Sequence, residues 1–206
     1  MAFKLIKEKN PVNKEYKVNQ VINAIGSGLF TGYIPIASGT FGSVVALIFF
    51  LLPGFEQFYT LFLATILSFF AGVFISDIMS KRYGEDPPEV VIDEISGMWF
   101  TFLIGLICFE LFLTAKPFYL YAKNPILLKF LGLSVEITHK RIFALVGFIL
   151  FRFFDIIKLQ PAKIIDEKLN NGWGIMLDDI IAGLYAGVFS AIITHFLWFR
   201  IFIHKI

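Results

Sequence analysis

Cysteine is nearly missing from this chain. Cys108 stands alone inside an apolar run, which excludes an intrachain disulfide and leaves no thiolate set for a metal. It reads as a small buried hydrophobe. Histidine is scarce too: only His139, His195 and His204 occur. The net charge of +2 at pH 7 is too small to make a nucleic-acid surface. No internal repeat or low-complexity linker breaks the chain. The N-terminal stretch MAFKLIKEKNPVNKEYK has no apolar core behind its charges, so a cleavable signal peptide is not expected.

Apolar sequence is what the chain has in abundance. It is 57% hydrophobic over 206 residues, with a mean hydropathy of +0.76. Soluble domains average about 45–50% apolar, so this is membrane composition in a length suited to one compact domain. A spanning helix needs roughly 20 apolar residues. Phe58 to Ile78, Ile95 to Thr114, Ile142 to Ile157 and Ile180 to Phe199 meet or approach that length. Phe41 to Leu52 is shorter and stops at Pro53-Gly54, so it is expected as a short or re-entrant crossing. The expected fold is an all-α integral membrane protein, a compact bundle of about five transmembrane helices in a single domain spanning 1–206. Residues 1–20 form a polar N-terminal segment. Residues 115–141 read as an insert lying amphipathically on the bilayer.

Five crossings place the chain alternately on two sides. Eleven of the 18 Lys and Arg residues fall on the side that holds the N-terminus, which orients that side to the cytoplasm. Three turns rich in Gly or Pro fall on the same side: Pro35 to Ser43, Glu85 to Gly97, and Phe151 to Gly183. The acidic residues collect beside these turns, and ionisable groups near a bilayer core point to function.

In PIASGTFGS, Ser38 or Thr40 can cap a helix, and Gly39 and Gly42 allow close backbone approach. Exposed amides at such a helix start favour an anion, although ordinary capping and small-residue packing explain the same residues. In EDPPEVVIDEISG the two prolines keep the chain extended before Asp93 and Glu94 open a helix, where the dipole alone would favour acids. Gly97, one turn on, leaves room for a neighbouring helix or a ligand. Arg152, Asp155 and Lys158 follow at i, i+3, i+6, as if along one helix face. An Arg–Asp pair alone would be structural, but a second cation on the stripe suits a phosphate. Asp178 and Asp179 open the last apolar run. Their side chains diverge by about 100° on a helix, so they cannot share one task.

Asp93, Glu94, Asp155, Asp178 and Asp179 thus supply oxygen ligands alone, which implies a hard cation such as Mg²⁺. Arg152, Lys158 and the Gly39 turn add anion binding. A metal and an anion site together at a membrane surface suggest phosphoryl chemistry on a lipid head group. Two other classes fit parts of the pattern. An ion-coupled transporter would place charges at mid-membrane within inverted repeats. A scaffold would use its charges only to pack helices. A phosphatidyltransferase would need a DGxxAR signature, which is absent.

PIASGTFGS, DPPEVVIDEISGMW, FRFFDIIKLQP and NGWGIMLDDIIAG, in that order, resemble the phosphatidylglycerophosphatase A family. The resemblance implies a Mg²⁺-dependent phosphatase that converts phosphatidylglycerophosphate to phosphatidylglycerol in the bacterial inner membrane, its site facing the cytoplasm. It carries to Pro35, Gly39, Thr40, Gly42, Ser43, Asp86, Asp93, Glu94, Gly97, Arg152, Asp155, Lys158, Pro161, Gly172, Gly174, Asp178, Asp179 and Gly183. Ser38 and Leu159 replace prolines common in the family, and Asn171 a glycine. Read together, Asp93, Glu94, Asp178 and Asp179 would hold the metal. Gly39, Thr40, Ser43, Arg152 and Lys158 would bind phosphate. Asp93, Asp155, Lys158 and Asp179 would be the catalytic groups, with a phospholipid as substrate.

Overall fold

A computed structural model describes residues 11–114 and 125–203. All regular structure among them is helical: α1 (Gln20–Gly26), a 3₁₀ turn (Thr31–Tyr33), α2 (Ser38–Leu51), α3 (Phe58–Tyr83), α4 (Ile92–Thr114), α5 (Pro125–Ile157), α6 (Ala162–Lys168) and α7 (Gly172–Ile203).

Helix α4 is the axis of the bundle. It packs most extensively on α7, and α2, α3 and α5 also lie against it. Small residues make the α4–α7 approach close. A side chain at Gly183 would meet the Gly97 carbonyl oxygen at 2.5 Å, and one at Gly97 would meet that of Asp179 at 2.7 Å. Gly187 lies equally tight on Thr101 and Ile104. Such small-xxx-small stripes let apolar helices approach backbone to backbone.

Polar ties fix the flanking helices. Trp99 Nε1 donates to the Ala46 carbonyl on α2 at 3.1 Å, and Ser68 on α3 donates to Ser96 at 3.2 Å. Phe50 stacks on Phe102 with centroids 4.0 Å apart, and Phe143 closes the same cluster. At this end Lys140 pairs with Glu56 at 3.0 Å. At the other end the Gly26 carbonyl accepts from Val91 N–H, and Asn13 N–H donates to Arg82 O. Pro87 to Val91 are buried there.

The boundaries differ from expectation in three places. Helix α7 starts at Gly172, eight residues before Ile180. Asn171 Oδ1 accepts from Gly174 N–H, and Asp77 on α3 accepts from Gly172 N–H at 2.6 Å. Helix α5 runs unbroken from Pro125, so the second half of the 115–141 segment belongs to a helix that continues into Ile142–Ile157. Residues 115–124 lie outside the described residues. Helix α2 is capped by neither Ser38 nor Thr40, because Ala37, at φ +55°, is its N-cap.

Of the five expected crossings, two helices among the described residues are long and apolar enough to cross a membrane, Phe58–Tyr83 and Gly172–Leu197. Helix α2 is a shorter apolar helix of 14 residues. Tyr59, Leu63, Leu67, Phe70 and Phe74 form an exposed apolar stripe down α3, with Phe74 68% exposed. A stripe of that length is foreign to a water-facing surface.

Candidate active site

The Gly97–Gly183 crossing sets the site. Asp93 lies one turn before Gly97, and Asp179 one turn before Gly183. Backbones that touch at the glycines bring the two acids together above them. Oxygens of Asp93, Glu94 and Asp179 all lie within 4.8 Å of one another. Asp93 is 6% exposed and Asp179 3%. Glu94 Oε2 is buried without a hydrogen-bond partner. Asp155 and Asp178 also stand close enough to Asp179 to act on its charge.

Each remaining acid meets a cation. Arg152 Nη1 pairs with Asp155 Oδ2 at 2.8 Å, one turn apart on α5. The same Nη1 donates to Ser43 Oγ at 3.4 Å, and the Ser43 hydroxyl donates to the Gly39 carbonyl at 3.0 Å. Gly39 lies directly on Glu94 Oε1, and a Cβ there would also stand 3.2 Å from Arg152 Nη1. The first motif therefore touches both the acids and the arginine. Lys158 Nζ pairs with Asp178 Oδ2 at 2.7 Å, and Asp178 Oδ1 accepts from the Asp179 N–H at 3.0 Å.

The centre is recessed. Beside Gly72 on α3 lie Ile92, which adjoins Asp93, and Met176, three residues before Asp179. Helix α3 continues for 11 residues beyond Gly72, about 16 Å. The carboxylates are thus level with the middle of α3, well below its polar end at Ser80 to Arg82. At that polar end the Tyr33 phenol, outside the long helices, is pushed above its ordinary range by burial and by its bond to Tyr83.

The donor set fits a hard cation. Three carboxylates converge, no Cys or His joins them among the described residues, and one buried oxygen lacks a partner. Oxygens bound to one Mg²⁺ at about 2.1 Å stand no more than about 4.2 Å apart, close to the spacing present.

A family model for phosphatidylglycerophosphatase A matches residues 24–194. The chain belongs to the phosphatidylglycerophosphatase A family. It is similar to the phosphatidylglycerophosphatase A of Haemophilus influenzae, 32% identical over 87% of this chain and 91% of that protein. It is 28% identical to the Escherichia coli phosphatidylglycerophosphatase A over 94% of this chain and 92% of that protein. A Bacteroides thetaiotaomicron protein with the provisional name phosphatidylinositol-3-phosphatase is 30% identical over 82% and 90%. No solved structure matches. Membership makes the chain an enzyme, a phosphatase acting on a phosphomonoester.

Within this phosphatase, Asp93, Glu94, Asp179, Gly39, Ser43 and Arg152 come together. Asp155 and Asp178 sit one step out, each against a cation. Two local expectations differ. Lys158 does not continue the Arg152–Asp155 stripe: α5 ends at Ile157, and Lys158 turns to φ +47°, its amide bonded to Phe154 O. Thr40 N–H donates to Ala37 O at 2.9 Å, and Ser43 lies in the second turn. The amides at the helix start with no carbonyl behind them are therefore those of Ser38 and Gly39. Sequence reasoning missed Asp77, a lone acid inside the apolar run Phe58 to Ile78. It ties the start of α7 to α3 and so sets the level of Asp179.

Proposed function

We propose that this family member is a Mg²⁺-dependent lipid phosphatase that hydrolyses phosphatidylglycerophosphate to phosphatidylglycerol and inorganic phosphate. The observation that carries this is the meeting of three buried carboxylates with two held cations, Arg152 and Lys158, at one end of an apolar bundle. Asp93, Glu94 and Asp179 would hold Mg²⁺, which when bound supplies Lewis-acid polarisation and a water of lowered pKa.

The chain's own groups do the rest. Arg152 and Lys158 take the phosphate oxygens and offset charge as it develops. The start of α2 at Ser38 and Gly39 faces the same anion. Water oxygen forms the new bond to phosphorus, and a carboxylate of the trio takes its proton. The bond from phosphorus to the glycerol oxygen breaks, and that oxygen leaves with the proton that the carboxylate gives back. Asp155 orients Arg152.

The helices α2 to α5 and α7 make five crossings in this proposal. In a bacterial inner membrane, the excess of Lys and Arg favours the cytoplasmic side for the motif-bearing end. The exposed stripe on α3 and the two long apolar helices support embedding. The acyl chains remain in the bilayer while the head group reaches the recessed acids.

Phosphate release from phosphatidylglycerophosphate by purified protein, with and without Mg²⁺, tests the proposal. Release that needs the ion and yields phosphatidylglycerol is expected. No release in either condition would remove it. Phosphatidylinositol 3-phosphate in parallel wells tests the head group, and faster turnover of that lipid would displace the glycerol substrate.

A further inference from the structure

We infer that Asp178 is a positioning residue: it fixes the Lys158 ammonium and the backbone of Asp179, and lies outside the ion's ligand set. The inference rests on the phosphatase reading and assigns Asp178 a different task from its neighbour.

Geometry separates the two adjacent aspartates. Helix α7 begins at Gly172, with Asn171 and Asp77 occupying its first amides. Asp178 and Asp179 therefore sit in its second turn, where capping explains neither. The oxygen cluster includes Asp179 and leaves out Asp178. Asp178 is 7% exposed, and both its oxygens have identified partners. Oδ2 takes the Lys158 ammonium at 2.7 Å, and Oδ1 takes the Asp179 N–H at 3.0 Å. One carboxylate thus anchors a cation and the peptide that carries a ligand.

Lys158 needs such an anchor. It stands just past the end of α5 in left-handed backbone, a conformation that side chains rarely adopt. Its long stem would otherwise range over many rotamers. Held on Asp178, the ammonium is fixed in one place as a positive charge for a phosphate oxygen. Asp155 stands in the same relation to Arg152, so each cation of the site has its own carboxylate.

The test is a double-mutant cycle of Lys158→Ala, Asp178→Asn and the pair, read by turnover, by thermal stability and by Mn²⁺ binding in electron paramagnetic resonance. Each single substitution should lower turnover roughly tenfold or more, as for loss of a charged hydrogen bond. The pair should lose little beyond the worse single, because the two act as a unit. Mn²⁺ should still bind in Asp178→Asn, weakened by roughly tenfold as the peptide of Asp179 loosens, whereas Asp179→Asn should lose binding. Loss of Mn²⁺ binding in Asp178→Asn as complete as in Asp179→Asn would overturn the inference, and so would losses of turnover that multiply in the pair. If Asp178→Asn does not fold, Lys158→Ala against Lys158→Arg decides: rescue of turnover by arginine supports a held cation, and equal loss contradicts it. A wild-type protein without phosphate release would remove the phosphatase reading instead. The stability cycle would still read the pair, and additive shifts in melting temperature would overturn the coupling.

Discussion

At the residue scale, strain and function coincide. Ala37, Asp86 and Lys158 all have positive φ, and one lies in each of the three motif turns. Left-handed backbone costs a side-chain-bearing residue about 1–2 kcal/mol, and such strain persists where surrounding contacts over-determine it, often at a working site. Lys158 gives the cleanest check. Lys158→Gly and Lys158→Ala both remove the ammonium, but only glycine fits φ +47° without cost. The glycine variant should be more stable than the alanine variant by about 1 kcal/mol in chemical unfolding, with turnover equally low in both. Equal stability would mean that the turn relaxes at no cost. The three-residue spacing of Arg152, Asp155 and Lys158 suggested one helical stripe. That holds only while the helix lasts, and nothing local in Phe154-Asp155-Ile156-Ile157 announces that it ends before Lys158.

At the element scale, the α4–α7 crossing converts sequence spacing into a site. Gly183→Ala would press a methyl against the Gly97 carbonyl, a backbone atom with nowhere to retreat. A loss of about 1–3 kcal/mol is expected, as for overpacking, together with a fall in turnover as the acids above are wedged apart. Gly147→Ala is the control, since a side chain there meets side chains and not backbone, the Phe102 ring at 3.1 Å and Thr101 Cγ2 at 3.6 Å. A Gly183→Ala protein with normal turnover would detach the crossing from catalysis.

At the opposite end, Glu56 joins the α2–α3 turn to Lys140 on α5. Burial works to raise the Glu56 carboxyl, but the Lys140 ammonium and nearby backbone donors outweigh it and leave the group below its usual range. A depressed folded value adds stability above the ordinary carboxylate range, and that increment is lost as pH falls through the folded value. Both partners are partly exposed, so the increment should be under about 1 kcal/mol. Glu56→Gln should flatten the acid limb of a melting-temperature profile by that much, and an unchanged limb would show the pair contributes nothing.

Much of this element order was legible. The apolar runs located α3, α4 and the second half of α5, and Gly97 one turn after Asp93 pointed to a close neighbour. The start of α7 was hidden, because Asn171 to Leu177 reads as a glycine-rich turn until Asp77, distant in sequence, supplies the cap. The level of the acids along α3 was not legible, because the contacts that set it, Gly72–Met176 and Ser68–Ser96, join segments distant in sequence.

At the scale of the whole molecule, the bundle presents its greasiest surface outward on α3. Leu67 is 60% exposed on that stripe. In water, Leu67→Lys would change stability by less than about 0.5 kcal/mol. In a bilayer the same lysine should cost about 2.5–3.5 kcal/mol near mid-span, seen as reduced membrane insertion or lower stability in lipid vesicles. Normal insertion and stability would place that face against something other than lipid.

In the proposed mechanism the acids from α4 and α7 form the centre of the enzyme, and turnover of single-charge variants tests this most directly. Phosphate release from phosphatidylglycerophosphate at saturating Mg²⁺ should fall by roughly a hundredfold or more in both Asp93→Asn and Asp179→Asn, with melting temperatures in detergent close to wild type. Near-normal release by either folded variant would contradict a shared carboxylate centre.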